Sequence, residues 1–280
     1  MEVYVKIQLP EKVKFIIDTI TAAGFEAFAV GGCIRDSILG REPNDWDITT
    51  SAKPEQVKAL FRRTIDTGIA HGTVTIMLEK EGFEVTTYRI DGEYEDSRHP
   101  KEVTFTSNLI EDLKRRDFTI NAMAYNETEG LVDLFCGAED LKQGVIRCVG
   151  APRERFSEDA LRILRGLRFA ARFGFEIEEK PRAAMHTEIA GLDSLARERV
   201  LVELTGFLLS AKAGDLRNAS AILCRLIPEL APTVGFAQHT PHHVHDVYTH
   251  TAYVTQAVGD HLALRFAALL KQYEDETIPS

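Results

Sequence analysis

Two hydrophobic periodicities share this chain, and they change over near residue 145. Before that point, short runs rich in β-branched and aromatic residues alternate with stretches whose apolar residues recur at helical spacing. After Gly150 only the helical spacing remains. A strand repeats every two residues and a helix every 3.6, so one element cannot satisfy both patterns. The chain is therefore expected to be α+β, with a mixed-sheet domain followed by an all-α region.

In the first part, EKVKFIIDTITAA reads as a helix that stops before Gly24. FEAFAVGG reads as a strand entering a turn, IRDSILG as a short helix, and NDWDITT as a short strand. KPEQVKALF is a helix with Pro54 near its start. GTVTIMLEKEGFEVTTYR is a hairpin turning around Lys80-Glu81-Gly82. SNLIEDLKRRDFTINAMAYN is a helix followed by a strand or second helix. In the second part, PRERFSEDALRILRGLRFAARFGFEI, PRAAMHTEI, ARERVLVELTGFLLS and LRNASAILCRLIPEL all read as helices. No internal repeat or low-complexity segment interrupts them.

Composition excludes several classes. No apolar run approaches the ~20 residues of a membrane span, and the start, MEVYVKIQLPEKVKF, lacks the apolar core of a signal peptide. Cys33, Cys136, Cys148 and Cys224 show no CxxC spacing. They read as reduced thiols of a cytoplasmic protein rather than a disulfide or zinc framework. The net charge of −10 argues against a wholly basic nucleic-acid binder but leaves room for a local basic face.

The stretch AVGGCIRDSILGREPNDWDITTS carries the chemistry. If Asp45 and Asp47 lie on a strand, both carboxylates point to one face while Trp46 and Ile48 point to the other. Two such close like charges call for a counter-charge. Mg²⁺, which prefers hard oxygen ligands, suits them. Gly31 and Gly32 permit a tight turn and place a helix N-terminus against an anion such as a triphosphate. Arg35 adds positive charge in that helix's first turn. Glu84, in FEV, is a candidate third carboxylate for the same metal, and reads equally as an exposed strand glutamate.

These features, with DGEYEDSRHPKEVTF, LKRRDFTINAMA and SEDALRILRGLRFAARFGF in the same order, resemble the class II nucleotidyltransferases of the DNA polymerase β superfamily. Within it they look like the bacterial tRNA nucleotidyltransferases, the CCA-adding enzymes. The resemblance spans residues 28 to 175 or so. It implies a polymerase β-type catalytic head with a five-stranded sheet (1–145), a helical neck that selects the nucleotide (146–212) and a partial helical body (213–280). It implies Mg²⁺ on Asp45 and Asp47, the catalytic carboxylates, and CTP, ATP and the tRNA 3′ end as partners. Gly32 and Arg35 match phosphate contacts, and Arg116 and Asp117 match a motif that handles ribose and phosphates. Asp91 to Pro100 matches a loop found in enzymes that add the terminal A.

In the neck segment, Ser157 is expected to cap a helix with Glu158 and Asp159 in its first turn. Arg162 shares their face, and Arg165, Arg168 and Arg172 continue the stripe. Asp159 and Arg162 offer an acceptor beside a donor. Adenine and cytosine present an amino donor next to a ring-nitrogen acceptor, whereas guanine and uracil present the reverse. One such pair accepts CTP and ATP and leaves both groups mispaired against GTP or UTP. That selection logic is the family's own. Arg165 and Arg168 match further nucleotide contacts. An ordinary solvated helix laced with ion pairs is the competing reading of the same residues.

Toward the C-terminus, HHVHDVYTHTAYVTQAVGDHLALRFAALL resembles the start of an HD-type phosphohydrolase, with His250 at its first metal histidine. Lys271 and Gln272 stand where its His-Asp pair belongs, so no HD hydrolase is expected. His239, His242, His243 and His245 form either a metal-binding cluster or a solvated loop. The chain ends at Ser280, short of the family's usual length, and tail regions that hold the tRNA elbow are expected to be missing. A poly(A) polymerase and an inactive RNA-binding remnant remain as alternatives.

Overall fold

The structure is a computed structural model that describes residues 6–92, 103–237 and 244–271. The chain forms two compact units. The first runs to Gln143 and takes in Arg147–Ala151, while the second holds Gly144–Ile146 and continues from Pro152.

The first unit begins with helix α1 (Glu11–Ala22). Val13, Ile16, Ile17 and Ile20, at helical spacing, are buried. The helix stops as expected before Gly24, which takes a φ of +89°. Then follow β1 (Ala27–Val30), α2 (Gly32–Ile38), β2 (Ile48–Thr50), α3 (Pro54–Leu60), β3 (Thr64–Gly68), β4 (Thr73–Leu78) and β5 (Glu81–Thr87). A small pair, β6 (Arg89–Asp91) and β7 (Val103–Phe105), leads to α4 (Leu109–Lys114), β8 (Met123–Asn126), β9 (Gly130–Asp133) and α5 (Gly137–Gln143).

The main sheet has the order β3-β4-β5-β2-β1-β8-β9. It is mixed, because β2 and β5 run parallel while the other neighbours are antiparallel. Its seven strands exceed the five that the resemblance implies. The β4–β5 hairpin turns one residue earlier than expected, on Glu79-Lys80, with Leu78 paired to Glu81 and Glu79 at φ +57°. Phe28, Val30, Tyr88, Leu109, Leu113 and Ala124 form a core cluster between sheet and α4.

The second unit contains β10 (Val145–Ile146), which pairs in parallel with β11 (Glu176–Ile177). Its helices are α6 (Pro152–Glu158), α7 (Leu161–Phe173), α8 (Glu179–Thr187), α9 (Arg197–Ser210), α10 (Ala213–Asn218), α11 (Ser220–Leu226), α12 (Val247–Ala257) and α13 (Leu262–Leu270). The expected single helix through SEDALRILRGLR is two helices. Ser157 does not cap it, because its hydroxyl donates back to the Glu154 carbonyl. The chain turns at Asp159, whose carboxylate accepts from the Leu161 amide. α9 packs on α7, and Gly206 makes this close: a Cβ there would lie 2.5 Å from Arg168 Cδ. The buried Arg265 of α13 donates to the Leu208 and Ala211 carbonyls, closing the C-terminal end of α9.

Candidate active site

Sheet register gathers the glycine turn and the acidic pair. Val30 ends β1, and its amide donates to the Asp47 carbonyl over 3.0 Å. Gly31 follows directly and donates to the Met123 carbonyl at the start of β8. Parallel pairing of Ile48 with Val85 sets Glu84 beside Asp47 at the same end of the sheet. Asp45, Asp47 and Glu84 all line a cavity of about 900 Å³.

The acids do not lie on a strand as the alternation suggested. β2 starts only at Ile48, and Asn44 to Asp47 form irregular backbone leading into it. Without the pleat, Trp46 is not turned away, and it lines the same cavity as the two acids. Asp47 is solvent-accessible at that cavity. Its carboxyl is nonetheless shifted above the ordinary range, by desolvation first and by Asp45 as well, while Arg116 pulls it down. The pair thus has the unmet negative charge that a cation relieves. The hard-oxygen donor set fits Mg²⁺. Among the described residues, no group of three or more His, Cys, Asp or Glu is already arranged to hold a metal. Glu84 shares the cavity without completing such a cluster.

The glycine turn is shaped by an arginine. Gly31 has φ +82°, and a Cβ there would lie 2.9 Å from Arg116 Nη1. Arg116 Nε is buried and, among the described residues, has no hydrogen-bond partner. Its Nη2 lies 3.4 Å from the Asp112 carboxylate. Asp112 is fully buried and also accepts from Arg115 Nε at 2.9 Å and the Thr49 hydroxyl at 3.2 Å. Burial pushes the Asp112 carboxyl up, but Arg116 and Arg115 outweigh it and hold it below its ordinary range.

Arg35, which the resemblance matches to a phosphate contact, lies within the fold. It is buried, and its guanidinium pairs with Asp36 at 2.8 Å and donates to Asn121 Oδ1 at 2.6 Å. Asn121 Nδ2 in turn donates to Asp117 Oδ1, which also accepts from the Phe118 amide at 2.8 Å. Asp36, Arg35, Asn121 and Asp117 therefore form one buried polar chain behind the turn. Gly32 opens α2. Cys33 packs beneath Asp47, and burial, followed by the Asp47 charge, pushes its thiol up to about 12.

Asp112 and Asn121 were not singled out from the sequence. For Asp112 a signal was present: it stands three and four residues before Arg115 and Arg116 on an expected helix, the spacing at which side chains meet. Asn121 gave none, because its partners Arg35 and Asp117 meet it only through the fold.

In the second unit, Asp159 pairs with Arg199 at 3.0 Å, and Arg162 pairs with Glu158 at 2.7 Å and donates to the Arg155 carbonyl. Their direct hydrogen-bond partners are thus other protein groups. Arg168 and Arg165 both meet the buried Glu203, at 2.5 and 3.7 Å.

Of the histidine cluster, His239, His242 and His243 lie outside the described residues, as does most of the Asp91–Pro100 loop. His245 stacks on Tyr253, with ring centroids 5.1 Å apart.

The acidic pair and the glycine turn thus lie at one end of a mixed sheet, joined by the Val30–Asp47 backbone bond. Residues 27–147 match the model of the poly(A) polymerase head domain. It is 48% identical over 229 residues to a CCA-adding enzyme of Lactiplantibacillus plantarum, covering 80% of this chain and 56% of that one. Among solved structures it is similar to a Bacillus stearothermophilus CCA-adding enzyme in complex with CTP. There the TM-score is 0.70 and the identity 38%, over 76% of this chain and 53% of that one. A structure described as a tRNA-processing enzyme matches at a TM-score of 0.68 and 27% identity, over 95% and 72%. The chain spans about half the length of the curated relatives it matches.

Proposed function

We propose that this chain transfers nucleotidyl groups from CTP and ATP to the 3′ end of tRNA, building CCA or its terminal A without a nucleic-acid template and releasing pyrophosphate. One observation carries the reading: Asp45 and Asp47 share a roomy cavity, the Asp47 carbonyl is bonded to the residue before the Gly31 turn, and the Asp47 carboxyl feels Arg116, whose buried Nε has no partner among the described residues. The CTP complex of a relative 38% identical supports the nucleotide. The described helices include none long and apolar enough to cross a membrane, which accords with a cytoplasmic enzyme.

Asp45 and Asp47 are the residues that would hold Mg²⁺, with Glu84 a further candidate. Bound there, Mg²⁺ supplies charge neutralisation at the triphosphate and activation of the primer hydroxyl. Arg116 presents its donors to the phosphates, since a buried donor without a partner is stabilised by an incoming anion. Gly31 keeps the turn clear for that side chain. Asp112 holds Arg116 in place. Arg35 and Asp117 act through Asn121, shaping the turn that Gly32 opens.

The division into head (1–145), neck (146–212) and body (213–280) is part of the same reading. In the neck, Asp159 accepts the amino group of cytosine or adenine and Arg162 donates to the ring nitrogen. Arg199 and Glu158 fix the two side chains before the base arrives. Arg165 and Arg168 supply positive charge that Glu203 only partly offsets.

Purified protein, RNA hairpins ending before the CCA positions or after one or two Cs, and single nucleotides test this directly. Labelled C and then A should add and stop, with GTP and UTP refused. Asp47→Asn should lower incorporation by at least about 100-fold with the circular dichroism unchanged. Open-ended A tails would favour a poly(A) polymerase. No incorporation by a folded protein would overturn the proposal.

A further inference from the structure

The second unit has a cavity of about 450 Å³ that the proposed chemistry does not use. Its floor is apolar, with Leu167, Met185, Phe207 and Ile222, and small residues on α7 leave it open: Ala170, Ala171 and then Gly174. Its rim carries Arg182, His186 and Lys212, all exposed. Among the described residues, His186 and Lys212 hold no ion pair. Glu176 and Asp215 also line it, Asp215 being bonded to the Lys212 amide. The volume falls within the ~300–1,000 Å³ of small-ligand pockets.

An aromatic stair leads to this cavity. On α7, Phe169 and Phe173 are stacked at 6.0 Å with their planes 10° apart, and Phe173 meets Phe175 at 5.5 Å. Phe175 packs on Gly144 and lines the cavity. Arginines cover the stair: Arg168 over Phe169 at 4.5 Å and Arg172 over Phe173 at 5.5 Å. Arg172 is exposed and has no carboxylate partner among the described residues. Glu203 holds Arg165 and Arg168, while Arg172 lies over the Phe173 ring.

Half-buried rings, a stacked guanidinium and a partly apolar pocket with cations on its rim are the parts of a site for an unpaired nucleotide. Bases stack on aromatic and guanidinium planes without regard to sequence, while cations take the phosphates. Acceptors such as Glu176 suit exocyclic amino groups. We infer that Arg172, Phe173, Phe175 and the cavity behind them bind one unpaired nucleotide of the RNA substrate, apart from the nucleotide being added. This rests on the RNA-directed reading above.

The test uses the full chain and two RNA hairpins, one blunt and one with a three-nucleotide 3′ overhang, followed by fluorescence anisotropy. Arg172→Ala, an exposed change that spares folding, and Phe175→Leu should each weaken the overhang hairpin by about 5- to 100-fold. The blunt hairpin and CTP should bind as before. Arg182→Ala combined with Lys212→Ala should reduce the salt dependence of overhang binding by about one unit of slope. Equal weakening of both hairpins, or of neither, overturns the site. So does displacement of the overhang hairpin by sub-millimolar CMP acting at the cavity, which would make the occupant a free nucleotide. Selective loss of overhang binding in a chain that incorporates no nucleotide would uphold this site while sinking the catalytic reading.

Discussion

Gly31 shows how much one missing carbon decides. Its φ of +82° lies in the left-handed region, and the space a side chain would fill holds Arg116 Nη1. Gly31→Ala meets both a backbone cost and a contact. With ψ at −125° this is a sparsely populated conformation for any side chain, costing about 1–3 kcal/mol, and the arginine must withdraw from the turn. A urea titration should show that loss, and CTP titration should show weaker binding as Arg116 moves. Undiminished CTP affinity would separate Arg116 from the nucleotide. The GG pair was legible because only glycine tolerates such a turn. The arginine filling it was not, because it comes from a segment some 85 residues downstream, and only the β1–β8 pairing brings the two together.

Elements were most legible where local rules suffice. The buried stripe of α1, the proline at the start of α3 and the β4–β5 hairpin each follow from neighbours in sequence. The α6–α7 break was not legible, because apolar spacing runs on through it while one side chain, Asp159, takes over the Leu161 amide. The β2 boundary was missed for a similar reason: alternating Asp-Trp-Asp-Ile imitates a pleat that the backbone adopts only from Ile48. Between α7 and α9, Glu203 sets the pairing that sequence spacing cannot show. Replacing it with Gln leaves Arg168 and Arg165 without their shared counter-charge. Both arginines are partly solvated, so the cost should be about 1–3 kcal/mol rather than that of a sealed ion pair. Adding Arg168→Met should recover part of it. Additive losses in that double-mutant cycle would mean the two side chains do not stabilise one another.

At the scale of the whole molecule, carboxylates whose surroundings shift their titration set how stability responds to acid. Asp112 titrates below its ordinary range in the folded state, so it contributes stability above that range and loses it as pH falls through its lowered value. Asp246 acts in the same direction, its carboxylate accepting from the Thr249 and Gly235 amides. Asp47 has the opposite sign. Its raised affinity for a proton means that folding gains stability as pH falls through its raised value toward the ordinary carboxylate range. Urea midpoints measured from neutral pH downward should therefore hold level or rise slightly before they fall. Asp47→Asn should remove the early rise, and Asp112→Asn should flatten the later fall whatever its effect at neutral pH. A protein whose acid limb keeps its slope without Asp112 would place the controlling carboxylate elsewhere. The buttress behind Arg116 would then be a packing feature rather than an electrostatic one.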